Sequence, residues 1–260
     1  MEANRKFRKK FVSSLVNVLL VLGIFIVLFQ LSTPTAKAAT YWYESWTIGS
    51  TESYEFKDDT LIFNGTLTIE GKLSLDNCTI QMRYKPPDDP DGNLIRVFGG
   101  GTFNVTNNSL ITIYSSELTD RYEFKIYSGG KALIEDSTVE YMVSSPPEDG
   151  IEIYSSEVTI KNSLIQDGGG NGITISDSGV RPRISYSNII NNAGYGIHCK
   201  NSASPIIENC NISSNYADGI YTVGCSNMEI RNNTVSNNGI TINRDGIYLH
   251  LPIIILLTIL

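Results

Sequence analysis

Short runs of alternating aliphatic and polar residues, three to five long and broken by Asn, Gly and Ser, fill this chain from about residue 61 onward. Alternation puts side chains on opposite faces at every second residue and predicts strands; no window holds a sustained helical period. The aliphatic positions belong to a six-residue phrase that recurs seven times: Leu75 to Ile80, Val105 to Leu110, Ile134 to Val139, Ile160 to Ile165, Ile184 to Ile189, Ile207 to Ile212 and Ile230 to Val235. Its steps are 30, 29, 26, 24, 23 and 23 residues. A second phrase, Gly followed by Ile, keeps the same beat at Gly150, Gly172, Gly196, Gly219 and Gly246. Strands rich in Ile, Val, Tyr and Thr, repeated at this period without crossover helices, predict an all-β solenoid. Each coil stacks on the last by parallel pairing at about 4.8 Å.

In that geometry Ile151, Ile173, Ile197, Ile220 and Ile247 point inward as one ladder. The third-position residues Asn77, Asn107, Asn162, Asn209 and Asn232 fall at turns, where a side-chain amide satisfies backbone groups and tolerates a left-handed conformation, a structural role. Outward positions of the Gly-Ile strands read Glu152, Thr174, His198, Tyr221 and Tyr248, and one step further out Tyr154, Ser176, Lys200, Val223 and His250. This polar and aromatic stripe has the character of a polysaccharide-binding face.

The phrases NGITIS, YGIHCK and DGIYTV, with the Asn-rich repeat, resemble the right-handed parallel β-helix family, specifically exported Asn-rich Gly-Ile repeat proteins that include NosD-like ones. The resemblance covers residues 61 to 250 and implies a right-handed parallel β-helix of about seven to eight coils. It implies little about chemistry, because the same architecture hosts lyases, hydrolases, epimerases and inert surface proteins. The polygalacturonase Gly-His-Gly, the epimerase Asp-Pro-His-Glu and the pectate lyase Arg-x-Pro-x-x-Arg phrases are missing, and Arg181-Pro182-Arg183 is a partial echo of the last. An accessory role in metal-site assembly is what the NosD likeness implies.

Arg5, Lys6, Arg8, Lys9 and Lys10, then an apolar stretch from Phe11 to Leu31, then Ala36-Lys37-Ala38, predict a secretory signal over residues 1 to 38 with cleavage after Ala38; the alternative is an uncleaved membrane anchor. Either places the remainder outside, secreted or on the cell surface. Without residues 1 to 38 the chain keeps 14 basic and 26 acidic residues, a formal charge of −12. Such a surface disfavours nucleic acid and anionic lipid as partners and leaves a polysaccharide or an envelope component. Six Asn-x-Ser/Thr sites lie beyond residue 38, and four overlap the repeat phrase, where turn chemistry accounts for them.

Residues 39 to 60, with Tyr41, Trp42, Tyr43 and Trp46, are expected to plug the open first coil rather than form a sugar platform. Arg83 to Gly99 and Ser144 to Asp149 are insertions over the wall. Residues 251 to 260 are an apolar tail that either folds over the last coil or marks a chain shortened relative to a longer relative.

Candidate chemistry is sparse. Cys78 and Cys210 share a repeat position five coils apart, about 24 Å, and Cys199 and Cys225 are three positions out of step, so four free, mostly buried thiols are expected. His198 and Cys199 are strand neighbours and point to opposite faces, so no transition-metal site and no cofactor is expected, calcium excepted. Asp149, Asp218 and Asp245 each precede a strand-opening Gly. Asp218 and Asp245, in successive coils, are the candidate catalytic or calcium-binding pair should the protein be a polyuronate lyase, hydrolase or epimerase. Asp before Gly is also ordinary turn chemistry. The sequence thus favours a non-catalytic exported β-helix that binds glycan or supports an envelope assembly.

Overall fold

The computed structural model describes residues 38–83, 93–115, 121–145, 148–239, 246–250 and 258–259. The proposed signal and nearly all of the apolar tail lie outside them. Among the described residues no helix is long and apolar enough to cross a membrane.

Three walls of parallel strands wind around one core. The first wall starts at Thr40–Tyr43 and climbs through Thr60–Phe63, Thr79–Met82, Leu110–Ile113, Thr138–Glu140, Leu164–Gln166, Asn188–Ile190 and Asn211–Ser213. The second carries nine strands, from Trp46–Ile48 to Ile247–His250. The third starts at Ser53–Lys57 and merges with the first in Glu229–Ser236, which runs unbroken through the corner. Coiling therefore begins at Thr40, inside the expected cap. Tyr43 and Trp46 stack at 4.8 Å over the first coil, with Tyr54 edge-on to Trp46. The rings of Tyr43, Trp46 and Tyr54 pack against the core; Trp42 points elsewhere.

The Gly-Ile ladder is in register through all five expected isoleucines and extends downward through Phe124, Ile95, Leu67 and Trp46. From Leu67 to Ile220 these inward side chains are fully buried, and each contributes on the order of 2 kcal/mol from removal of apolar surface. The glycines before them are close-approach positions. A Cβ on Gly196 would stand 2.5 Å from the Gly219 carbonyl oxygen, and of the five only Gly150 has a positive φ.

At the corner from third to first wall, every third-position residue of the recurring phrase has a left-handed backbone: Asn77, Asn107, Asp136, Asn162, Tyr186, Asn209 and Asn232. Asp58 makes an eighth such corner one coil earlier. The Asn107 copy carries one extra residue, Asn108, also left-handed. Its phrase ends inward on Ile111, which pairs with Ile80, and not on Leu110 as the sequence spacing suggests. Amides rung the corner outside: Asn77 Nδ2 donates to Asp58 at 2.7 Å, Asn107 Nδ2 to Asp76 at 3.0 Å, and Asn162 to Asp136. Inside, the Ser109 hydroxyl accepts from the Cys78 amide at 3.0 Å, and Ser163 and Ser187 each accept from the coil below at 3.2 Å. Tyr186 is the misfit of this series. Left-handed backbone costs a residue with a Cβ about 1–2 kcal/mol, less for Asn, so Tyr186→Asn should stabilise the fold by about 1 kcal/mol in urea unfolding. A loss of stability would show that the ring contributes more than the backbone strain.

Candidate functional site

The second wall presents its outward row as Thr47, Thr68, Arg96, Lys125, Glu152, Thr174, His198, Tyr221 and Tyr248, one residue per coil. The five expected stripe residues are thus in line, but they do not make a uniformly open face. Glu152 is 5% and Thr174 1% exposed, because polar neighbours close over them. Glu152 accepts from Tyr154 Oη at 2.7 Å and pairs with Lys125 at 3.3 Å, while Thr174 Oγ1 accepts from Asn171 Nδ2 at 3.1 Å. Burial opposes the Lys125 charge, and Glu123 and Glu152 together outweigh it, holding that ammonium above its ordinary pKa. Burial, then the bond to Glu152, pushes the Tyr154 phenol up.

Two aromatic columns flank this closed middle. Phe98 and Tyr127 stack at 4.7 Å with planes 4° apart, and Tyr154 continues the column 6.2 Å from Tyr127. Two coils above Tyr154, Tyr195 begins the second column: Tyr195 and Tyr221 stack at 4.4 Å and Tyr221 and Tyr248 at 5.0 Å, with the His198 ring tilted against Tyr195 and Tyr221. Face-to-face stacking turns ring faces toward one another along the axis, so the columns stabilise coil on coil and offer solvent mainly ring edges and hydroxyls. Burial holds both His198 and Lys200 below their ordinary pKa values. The imidazole is neutral near pH 7, and its Nδ1 is buried with no hydrogen-bond partner. This end of the wall is what the sequence stripe amounts to in space: hydroxyls, one imidazole and one ammonium in a row. Tyr195 belongs to it and was not visible in the Gly-Ile register, because it precedes the phrase.

Asp218 is 3% exposed, level with Tyr195 and Asn171 in the coils below, and its carbonyl accepts from the Gly196 amide at 3.1 Å. Asp245 lies outside the described residues, as does the side chain of Asp149. Among the described residues no group of His, Cys, Asp or Glu has the arrangement of a metal site. All four cysteines are free thiols and buried. The Cys199 and Cys225 thiols share a hydrogen bond that holds Cys199 above its ordinary pKa and Cys225 below it, so the turn does bend back far enough to bring them together. Burial pushes Cys210 up to about 11.

The third wall is an ion-pair face. Lys131 meets Glu157 at 2.6 Å, Lys161 meets Glu135 at 2.6 Å, and Glu208 lies between Arg183 and Arg231. Arg181 reaches Glu229 and donates to the carbonyls of Ser204 and Asn227. The Arg-Pro-Arg phrase is therefore engaged in holding coils together, and most of these partly exposed pairs are individually worth little. A shallow groove of about 460 Å³ at the Asn corner is lined by Asn108, Asp136, Asn162 and their neighbours.

Parallel coils, three walls and an Asn corner define a β-helix solenoid. The chain belongs to the right-handed β-helix family: the family model for the right-handed beta helix region matches residues 93–251. Comparison with curated proteins and with solved structures returns no match.

Proposed function

We propose that this protein is an exported, non-catalytic β-helix that binds glycan along the outward face of its second wall. The observation that carries the reading is the row of His198, Tyr221 and Tyr248 with Tyr195 and Lys200 beside it, set at one strand spacing on a rigid wall. Phenol and imidazole edges at about 5 Å intervals match the hydroxyl-rich edge of a polysaccharide chain, and side chains locked by stacking lose little entropy on binding. The N-terminal signature supports export. The buried position of Asp218 favours binding over carboxylate catalysis, since a general acid or nucleophile has to reach its substrate.

The test is isothermal titration of the full chain with a panel of neutral and acidic oligosaccharides, comparing Tyr221→Ala and Tyr248→Ala with the parent. The expected result is at least a tenfold loss of affinity for the bound glycan in both variants, with the native circular dichroism spectrum retained. Glycan shortened during the titration, or affinity unchanged in both variants, sinks the reading.

A further inference from the structure

Trp42 sits in the strand Thr40–Tyr43 at an outward position of the first wall, level with Ile62 in the next coil. Tyr114 follows Ile113 in the fourth coil of the same wall. Three coils separate the two backbones by about 14 Å at strand spacing, yet the ring centroids are 5.5 Å apart. Both side chains therefore lie along the wall toward each other. Ile62, an aliphatic residue facing outward between them, is 4% exposed, whereas Trp42 is 56% and Tyr114 40% exposed. The rings meet edge to face, 61° apart, and both keep aromatic surface toward solvent, unlike the coil-to-coil columns of the second wall, whose faces are used up in stacking.

Beside the rings runs one polar row. Glu44, Asn64, Arg83 and Tyr114 follow one another in successive coils, the last three anchored by hydrogen bonds that the backbone amides of Asn64, Arg83 and Tyr114 donate to the carbonyls of Tyr43, Phe63 and Met82. Asn64 Nδ2 donates to Glu44 Oε2 at 3.0 Å, and the Arg83 guanidinium lies over the Tyr114 ring at 5.5 Å. This row supplies a carboxylate acceptor, an amide that both donates and accepts, and a guanidinium that only donates. Groups that donate and accept at once, as hydroxyls do, satisfy such a set; a carboxylate ligand only accepts and meets Glu44 as a like charge. The excess of acidic residues over the chain works against a polyanion in the same direction.

We infer that Trp42, Tyr114, Arg83, Asn64 and Glu44 form a second binding site, which takes an uncharged pyranose unit of a neutral glycan, its apolar face on the Trp42 ring, its rim against Tyr114 and its hydroxyls on the polar row. The site is on a different wall from the one proposed above and stands or falls separately.

The chain has two tryptophans, and Trp46 is packed against Tyr43, so a ligand-dependent change in tryptophan emission reports on Trp42, with Trp46 a constant background. Full-length protein is titrated with neutral hexasaccharides of β-glucan, mannan and xylan type and with a hexagalacturonate of equal length. A saturable emission change is expected with at least one neutral series, at least tenfold weaker with the galacturonate. Trp42→Phe removes the signal, and calorimetry shows at least a tenfold weaker fit for Trp42→Ala and for the exposed-site variant Arg83→Gln. Tyr221→Ala leaves this emission response intact, which separates failure here from failure on the second wall. A response absent for every neutral hexasaccharide, equal or tighter binding of the galacturonate, or undiminished affinity in both Trp42→Ala and Arg83→Gln overturns the inference.

Discussion

Asn215→Ala should lower the free energy of unfolding by about 4 kcal/mol, read as a shift of the urea midpoint at constant slope. Asn215 is fully buried in the turn that follows the first wall. Its Oδ1 accepts from Asn192 N at 3.0 Å and Asn192 Nδ2 at 2.9 Å, and its Nδ2 donates to Ile189 O at 3.0 Å and to Asn238 Oδ1 at 3.0 Å. The same arrangement holds one coil down, where Asn192 Oδ1 accepts from the Gly168 amide at 3.0 Å. An amide ladder of this kind supplies backbone partners that the turn itself lacks. Truncation takes the Asn215 partner from the buried Asn192 backbone amide and from the Ile189 carbonyl, at about 1–3 kcal/mol each, and opens a cavity in addition; Asn192 Nδ2 keeps the carbonyls of Ile190 and Ile165. A loss under 1 kcal/mol would mean that water or relaxation replaces the ladder, and the corner would then be far looser than its hydrogen bonds describe.

The second large effect compares two copies of one phrase. Gly196→Ala should cost about 3 kcal/mol, whereas Gly246→Ala should change stability by less than about 0.5 kcal/mol. At Gly196 an added Cβ meets the Gly219 carbonyl oxygen at 2.5 Å, Ile212 Cγ2 at 2.6 Å and Asn215 Nδ2 at 2.9 Å, two of which belong to backbone or ladder and have nowhere to go. At Gly246 the nearest atoms among the described residues are Val235 Cγ1 at 3.6 Å and Val235 O at 3.9 Å, ordinary contact. Urea unfolding of the two single variants decides the matter. Equal costs in both would return the motif to a conformational explanation, in which glycine is wanted for its own backbone freedom and not for the coil stacked above it.

Much of this architecture was legible because a solenoid repeats its physics at a fixed step. Ile151, Ile173, Ile197, Ile220 and Ile247 could be placed in one ladder from spacing alone, since a period-two strand opened by a constant phrase has one inward phase. The left-handed corners were legible for the same reason, as Asn is the residue that tolerates them. The Asn192, Asn215 and Asn238 ladder escaped although it keeps a 23-residue step, because it sits three residues past the phrase in a stretch of mixed polar residues where nothing marks which amide turns inward. Asp58 escaped because its copy lacks the Asn. The stripe was right in register and incomplete in exposure: Glu152 and Thr174 are outward on the pleat, but Tyr154, two residues on along the same face, and Asn171, from the turn before the strand, bond to them and close over them.

By itself the sequence determined the all-β class, the coil, the inward ladder, the order of the outward row and the turn role of the asparagines, because each depends on residues a fixed number of steps apart. Only the tertiary structure decided which outward residues meet water, that Cys199 and Cys225 touch, and that Trp42 leaves the aromatic cap to join Tyr114 across three coils. Those outcomes depend on side-chain direction and on the close approach of residues from coils whose lengths differ, and a one-dimensional period carries neither.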